Sequence, residues 1–296
     1  MTGVRTFEPA DQLDDSTVEA LLAAKAGRTI SVCLPCRDEA ATIGPLVSVI
    51  RRELVEVTGI VDELIVVDDR STDDTARVAA HAGARVVPIG DVHETHGEGH
   101  GKGNVMWASL LVSHGDFVVW CDGDLTSFEP NWVSRLVAPL LEDASVALVK
   151  ALYHRPTKYG GGGRTTELVA RPLMSRFYPE LTGLAQPLSG EYAGRRSVLE
   201  QLHFVQGWGV EMGLLIDISR QFGAPSIAQV DLGDRLHRHR SLQSLSVQAA
   251  EVMTTMLDRA GVSVGETEQV LTRSDGSAVP LNVAHRPPVA TLRDLS

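Results

Sequence analysis

Short apolar runs alternate with helically periodic segments through the first half of this chain, and that alternation constrains its fold more than any other feature. Thr29-Ile-Ser-Val-Cys-Leu34 is β-rich and closed by Pro35, after which Ile43, Leu46, Val47, Ile50 and Leu54 recur at the spacing of one helical face. A second strand, Glu63-Leu-Ile-Val-Val67, runs into Asp68-Asp-Arg-Ser-Thr-Asp-Asp74, whose oxygens suit the start of a helix continuing to Ala80, and Gly83 suits its stop. A third strand over 84–89, a glycine- and histidine-rich loop, a helix over 104–112, the strand Phe117-Val-Val-Trp-Cys121, a helix over 132–141 and a strand over 146–152 continue the pattern. Such a chain predicts an α/β fold, with a mostly parallel central sheet, right-handed crossovers and helices on both faces.

Beyond residue 160 the pattern loosens, with helices expected over 166–178, 210–222 and 242–260. Residues 1–27 read as an N-terminal helical extension and 28–260 as the main domain. Residues 261–296, with Pro287-Pro288 and no strong periodicity, read as an arm packed on the surface or on a second subunit.

Charge and cysteine content narrow the function classes. The net charge of −11 over 296 residues excludes a broad nucleic-acid surface, which needs a basic field, but leaves small anionic substrates bound by the basic islands at 150–176 and 235–240. No apolar run approaches the roughly 20 residues that span a bilayer, the start is acidic, and Cys33, Cys36 and Cys121 make no even disulfide set; a cytoplasmic location without membrane attachment is expected.

Asp122-Gly-Asp124 is the sharpest chemical signal. It follows an apolar strand directly, placing two carboxylates at a C-terminal strand edge, where α/β sheets bind ligands; a hard divalent cation there bridges carboxylate to diphosphate. Lys102, between Gly101 and Gly103, lets backbone and ammonium approach a phosphate together. Gly163, Arg164 and Thr166 precede a helix, where free N–H groups and a guanidinium converge on an anion. Cys33-Leu-Pro-Cys36 has redox spacing but runs from a strand into a loop, and His93, His96 and His100 lie in a glycine-rich stretch that reads as a mobile lid rather than a zinc site.

With Leu34-Pro-Cys-Arg-Asp-Glu39 and the aspartate-rich second loop, Asp122-Gly-Asp124 resembles the nucleotide-binding half of the GT-A nucleotide-diphospho-sugar transferases. The blocks Gly101-Lys-Gly103, Gly161-Gly-Gly-Arg-Thr-Thr-Glu-Leu-Val-Ala-Arg-Pro-Leu173, Gln186-Pro-Leu-Ser-Gly-Glu-Tyr192, Gly209-Val-Glu-Met-Gly213 and Leu236-His-Arg238 resemble, over residues 24–260, the glucosyl-3-phosphoglycerate synthase family. The resemblance implies a nucleotide-binding half over 28–152 and an acceptor-binding half over 153–260. It also implies a homodimer and Mg or Mn on Asp124 and His237. The implied donor site comprises Pro35, Cys36, Arg37, Glu39, Asp69, Lys102, Asp122, Gly123, Leu188, Tyr192, Trp208 and Glu211. Gly163, Arg164, Thr166 and His239 would hold the acceptor, and Glu211, Asp124 and Lys102 would carry the chemistry.

The reaction so implied is retaining transfer of glucose from UDP-glucose to the 2-hydroxyl of 3-phosphoglycerate. Cys36-Arg37-Asp38 and Asp69-Arg70 depart from the usual pattern and leave the base open, so GDP-mannose with a mannosyl product is the alternative. A polyprenyl-phosphate glycosyltransferase shares the early motifs but needs a membrane-directed apolar surface. A sugar-nucleotide pyrophosphorylase and a non-catalytic nucleotide-sugar sensor complete the alternatives.

Overall fold

Among the described residues between 5 and 234, nine strands occur, and all but one join a central sheet: β1 (Arg5–Phe7), β2 (Ile30–Cys36), β3 (Glu63–Asp68), β4 (Arg85–Pro88), β5 (Phe117–Trp120), β6 (Leu148–His154), β7 (Tyr192–Arg195), β8 (Phe204–Val205) and β9 (Ile227–Asp234). The computed structural model describes residues 3–154, 163–234, 241–262 and 269–293. Strand order is β1-β9-β6-β7-β5-β2-β3-β4, and only β7 runs antiparallel to its neighbours. Alternation places Val32 and Leu34 of β2 in one buried layer and Cys33 in the other. This two-sided burial explains why the strand sequences are continuously apolar.

Helices α1 (Asp15–Lys25), α2 (Ile43–Val49), α3 (Thr75–Ala82), α4 (Ile89–His96), α5 (Lys102–Val112), α6 (Asn131–Glu142), α7 (Arg171–Phe177), α8 (Arg196–Leu199), α9 (Val210–Phe222) and α10 (Leu242–Arg259) pack around the sheet. Buried residues of α1, α2, α3 and α6 share one core with Val32 and Leu34; those of α4, α5, α9 and α10 share the other with Cys33, Trp107 and Trp120. Among the described residues no helix is long and apolar enough to cross a membrane.

Four expectations change. The glycine- and histidine-rich stretch is not a loop throughout: Ile89 opens α4, whose last residue is His96, so only the glycine-rich remainder leads irregularly into α5. The strand expected over 146–152 starts and ends two residues later. The helix expected over 166–178 begins as a π-helix, Thr166–Ala170, in which Arg171 N–H reaches Thr166 O, and continues as α7; Pro172 has no N–H to return to the preceding turn. Residues 1–27 contribute a strand as well as a helix, β1 pairing parallel with β9.

The C-terminal stretch also has structure. β10 (Val270–Thr272) and β11 (Ala278–Pro280) form a hairpin, β12 (His285–Arg286) pairs with β8, and α11 (Val289–Arg293) follows. Arg286 is buried, stacks 4.7 Å over Trp107 and donates to Asn104 Oδ1 at 2.7 Å, His96 O at 3.0 Å and Gly97 O at 2.8 Å. These contacts tie the stretch to both ends of the glycine-rich segment that precedes α5.

Candidate active site

The chain passes from β2 through β3 to β4 on one side of β2, then returns to place β5 on its other side. Loops leaving the two strands at such a reversal diverge and leave a crevice at their carboxyl ends. Here the crevice is walled by the β2–α2, β3–α3 and post-β5 loops.

Backbone and side-chain hydrogen bonds join the first two loops. Asp38, in the left-handed region at φ 56°, accepts from Thr72 N at 2.7 Å and Thr72 Oγ1 at 3.1 Å, while Asp38 N donates to Ser71 Oγ at 3.0 Å. Glu39 N donates to Thr75 Oγ1 at 2.7 Å. The third loop joins through Thr42 Oγ1, which donates to Gly123 O at 2.7 Å. A β-carbon on Gly123 would lie 2.6 Å from Cys36 Sγ, so the middle residue of the Asp-Gly-Asp motif has no room for a side chain. The hydroxyl-rich sequence therefore fixes loop geometry before any ligand arrives.

A cavity of about 550 Å³ opens between these loops. Of the donor residues expected from sequence, Pro35, Cys36, Arg37, Glu39, Asp69, Lys102, Asp122, Gly123 and Trp208 line it, as does Asp124. Asp69 is buried, its Oδ1 accepting from Arg70 Nη2 at 2.7 Å and its Oδ2 lying 3.9 Å from Arg37 Nη1. The two unusual arginines thus converge on the carboxylate expected at the ribose.

Lys102 projects from the first turn of α5. Its Nζ donates to Asp122 Oδ1 at 2.7 Å and lies 2.9 Å from Glu211 Oε1. Burial alone would lower the lysine's pKa, but the Asp122 and Glu211 carboxylates outweigh it and raise it, so the ammonium stays charged. Glu211 is itself buried in the first turn of α9 and reaches the cavity through Lys102. The three catalytic candidates from sequence therefore occupy one region, two of them in direct contact.

Tyr192 and Leu188 occupy other positions. Tyr192 is fully buried behind the cavity, packed on Trp120 at 5.2 Å between ring centroids, and Leu188 is half-buried against the same core. Gly163 has φ 80° and opens the helical stretch, with Arg164 exposed and Thr166 buried in its first turns; none of the three lines the cavity. His237 and His239 lie outside the described residues.

Sequence reasoning missed Val105, His100, Pro280 and Asn282 on the cavity wall, and Lys150 beneath it. Pro280 and Asn282 carry no local signal, because they arrive from a stretch without periodicity. Lys150 was visible as a lysine in a buried strand. Its Nζ donates to Ser189 O at 2.6 Å and sits 3.9 Å from the Tyr192 ring centroid; burial pushes its pKa down to about 7.

Cys33 and Cys36 belong to different buried layers, and burial pushes both thiols up, Cys33 to about 12, which suits neither nucleophile nor disulfide partner. His93 Nε2 lies 3.1 Å from Asn104 Nδ2, and His96 packs edge-on to Trp107. Among the described residues no group of three or more His, Cys, Asp or Glu side chains forms a metal cage.

A sheet reversal point walled by these loops, with a carboxylate pair at the adjoining strand tip, defines a nucleotide-sugar-dependent transferase of the GT-A class. Residues 31–203 match Glycosyl transferase family 2, and the chain belongs to that family, within its glucosyl-3-phosphoglycerate synthase branch. Glucosyl-3-phosphoglycerate synthase of Mycolicibacterium paratuberculosis is 46% identical over 294 residues, covering 94% of this chain and 88% of the relative. That of Mycolicibacterium smegmatis is 44% identical over 288 residues, 94% of each chain. A crystal structure of the Mycobacterium tuberculosis synthase with Mn2+, UDP-glucose and phosphoglyceric acid superposes with TM-score 0.89 at 42% identity, covering 99% of this chain and 100% of that one.

Proposed function

We propose that the chain transfers glucose from UDP-glucose to the 2-hydroxyl of 3-phosphoglycerate with retention of anomeric configuration, giving glucosyl-3-phosphoglycerate and UDP. The observation that carries this reading is Asp124 at the strand tip: its Oδ1 is buried without a hydrogen-bond partner among the described residues, on the wall of a cavity that also holds a permanently charged Lys102. A buried carboxylate oxygen left in that state is costly until a hydrogen-bond donor or a cation meets it, and a hard oxygen donor beside a diphosphate site fits Mg or Mn. Asp124 and His237 would hold the ion; complexes of the tuberculosis synthase contain Mn2+ or Mg2+.

A bound divalent cation supplies neutralisation of the diphosphate charge as the glycosidic bond breaks. The chain's own groups do the rest. Lys102 presents a fixed positive charge at the cavity wall, and Asp122 and Glu211 orient its ammonium. Trp208 offers an aromatic face, and Glu39 and Asp69 offer carboxylates at the nucleoside end. The N–H groups of the turn at Gly163 and Thr166, with the Arg164 guanidinium and His239, take the acceptor's phosphate and carboxylate. Retention puts the incoming hydroxyl and the leaving group on the same face of the sugar, so the acceptor's hydroxyl proton passes to the departing phosphate oxygen.

The test is a donor-by-acceptor matrix: UDP-glucose or GDP-mannose, with and without 3-phosphoglycerate, in Mn2+ or Mg2+. UDP release is expected only where UDP-glucose, acceptor and metal are all present. Absence of nucleoside diphosphate from every donor in the presence of 3-phosphoglycerate sinks the acceptor assignment, and preferential GDP release transfers the reading to mannose. We also place the protein in the cytoplasm, where its three buried thiols stay free, and propose a homodimer on family resemblance, to be measured by light scattering.

A further inference from the structure

Two walls of the cavity, Trp208 and Asn282, come from segments 74 residues apart and meet on one side chain. Glu251, on α10, is completely buried; its Oε2 accepts from Trp208 N and its Oε1 from Asn282 N, each at 2.7 Å. Gly207 N closes the arrangement by donating to Asn282 O at 2.7 Å. The fit leaves no slack, since a β-carbon on Gly207 would fall 2.2 Å from Glu251 Oε2 and 2.5 Å from Asn282 O, and one on Gly209 would fall 2.0 Å from Thr255 Oγ1. The same segment reaches the other side of the site: Gly103 N donates to Gly207 O at 3.3 Å and Asn104 N to Gln206 O at 2.9 Å, which ties it to the turn bearing Lys102.

We propose that Glu251 is a positioning residue of the donor site, its carboxylate clamping Trp208 to Asn282 and so setting the separation of the cavity's walls for a nucleotide sugar. The proposal deepens the functional reading above and rests on that cavity being the donor site. Glu251 itself does not line the cavity. It acts through backbone donors, which explains why a carboxylate is needed: both partners are N–H groups, and two anionic oxygens accept from both at once. Burial raises the pKa of Glu251, and the Trp208 and Asn282 N–H bonds together with a side-chain hydrogen bond from Asn282 oppose that rise.

Glu251→Gln tests the clamp, because a carboxamide keeps the shape but turns an N–H donor toward one of the two N–H groups. The expected result is a KM for UDP-glucose raised about tenfold, with kcat and the KM for 3-phosphoglycerate within about twofold of wild type, since one of two strong acceptor contacts is lost away from the reacting atoms. Val252→Ala, which loosens the same helix without touching the clamp, is the control: at equal loss of thermal stability it should leave the donor KM in place. A KM for UDP-glucose unchanged in Glu251→Gln, or raised equally in Val252→Ala, overturns the proposal. Should Glu251→Gln not fold, amide hydrogen exchange on the wild type decides: UDP with Mn2+ should slow exchange at Trp208 and Asn282 together, and slowing at neither or only one overturns it. A wild type inactive on UDP-glucose is a separate failure, of the functional reading rather than of the clamp.

Discussion

Asp124 is proposed for the donor diphosphate and Arg164 for the acceptor, so their variants should separate. Asp124 has a buried oxygen with no hydrogen-bond partner among the described residues. Asp124→Ala is expected to lower kcat/KM by about a hundredfold or more, because several kcal/mol of charge stabilisation at the leaving diphosphate goes with it, and to weaken Mn2+ binding measured by isothermal titration. Arg164 stands exposed at the start of the helical stretch. Arg164→Ala should raise the KM for 3-phosphoglycerate about tenfold to a hundredfold, the worth of one charge-assisted contact, with the KM for UDP-glucose little altered in steady-state assays. Unchanged kinetics in either variant removes that residue from its role. Both residues were singled out from sequence because each sits in a motif local to one turn. Asn282 and Glu251 were not: each matters for what it meets across the fold, and a lone Asn or Glu gives no such sign.

At the scale of elements, helix starts carry the site. Lys102 lies in the first turn of α5 and Glu211 in that of α9; they meet at 2.9 Å, and α5 is hydrogen-bonded to the residues 206–207 backbone that leads into α9. α5 is held from above by Arg286, which accounts for a buried arginine in a stretch read from sequence as a surface arm. Arg286→Ala strands Asn104 Oδ1 and two backbone carbonyls, and should cost about 3 kcal/mol in urea unfolding, as expected for loss of charged hydrogen bonds in a buried setting. A change within about 0.5 kcal/mol, the size of an ordinary surface substitution, would mean that the contacts contribute nothing. Helix and strand type were legible where periodicity is strong, as in α9, whose bounds match the sequence reading. The histidine-rich segment was not, since glycines and histidines mask a helix whose buried face, Ile89 and Val92, is only two residues wide.

Across the whole molecule, one buried cation couples the site to stability. Lys150 has its folded-state pKa near 7 against an ordinary 10.5, burial being the main cause, with Glu211 and Glu191 opposing it and Lys102 reinforcing it. The sign follows: between these values the unfolded chain binds the proton that the folded chain releases, so stability rises with pH from about 7 to 10.5 and the contribution is lost on acidification through that window. Relative to Lys150→Met, wild type should gain up to about 1.4 kcal/mol per pH unit across the window, read from denaturant unfolding at a series of pH values. A pH-independent difference between the two proteins would show that Lys150 does not titrate there.

The amino-acid order by itself determined the α/β alternation, the strand-tip Asp-Gly-Asp pair and the glycine-flanked lysine, because periodicity and turn chemistry are local properties that neighbouring residues dictate. Only the tertiary structure decided which distant groups share the cavity: Tyr192 went behind it, Asn282 came onto its wall from the end of the chain, and Glu251 was set between Asn282 and Trp208. Burial and hydrogen-bond pairing across long sequence separations made those choices, and they depend on where the chain returns in space rather than on what lies beside each residue.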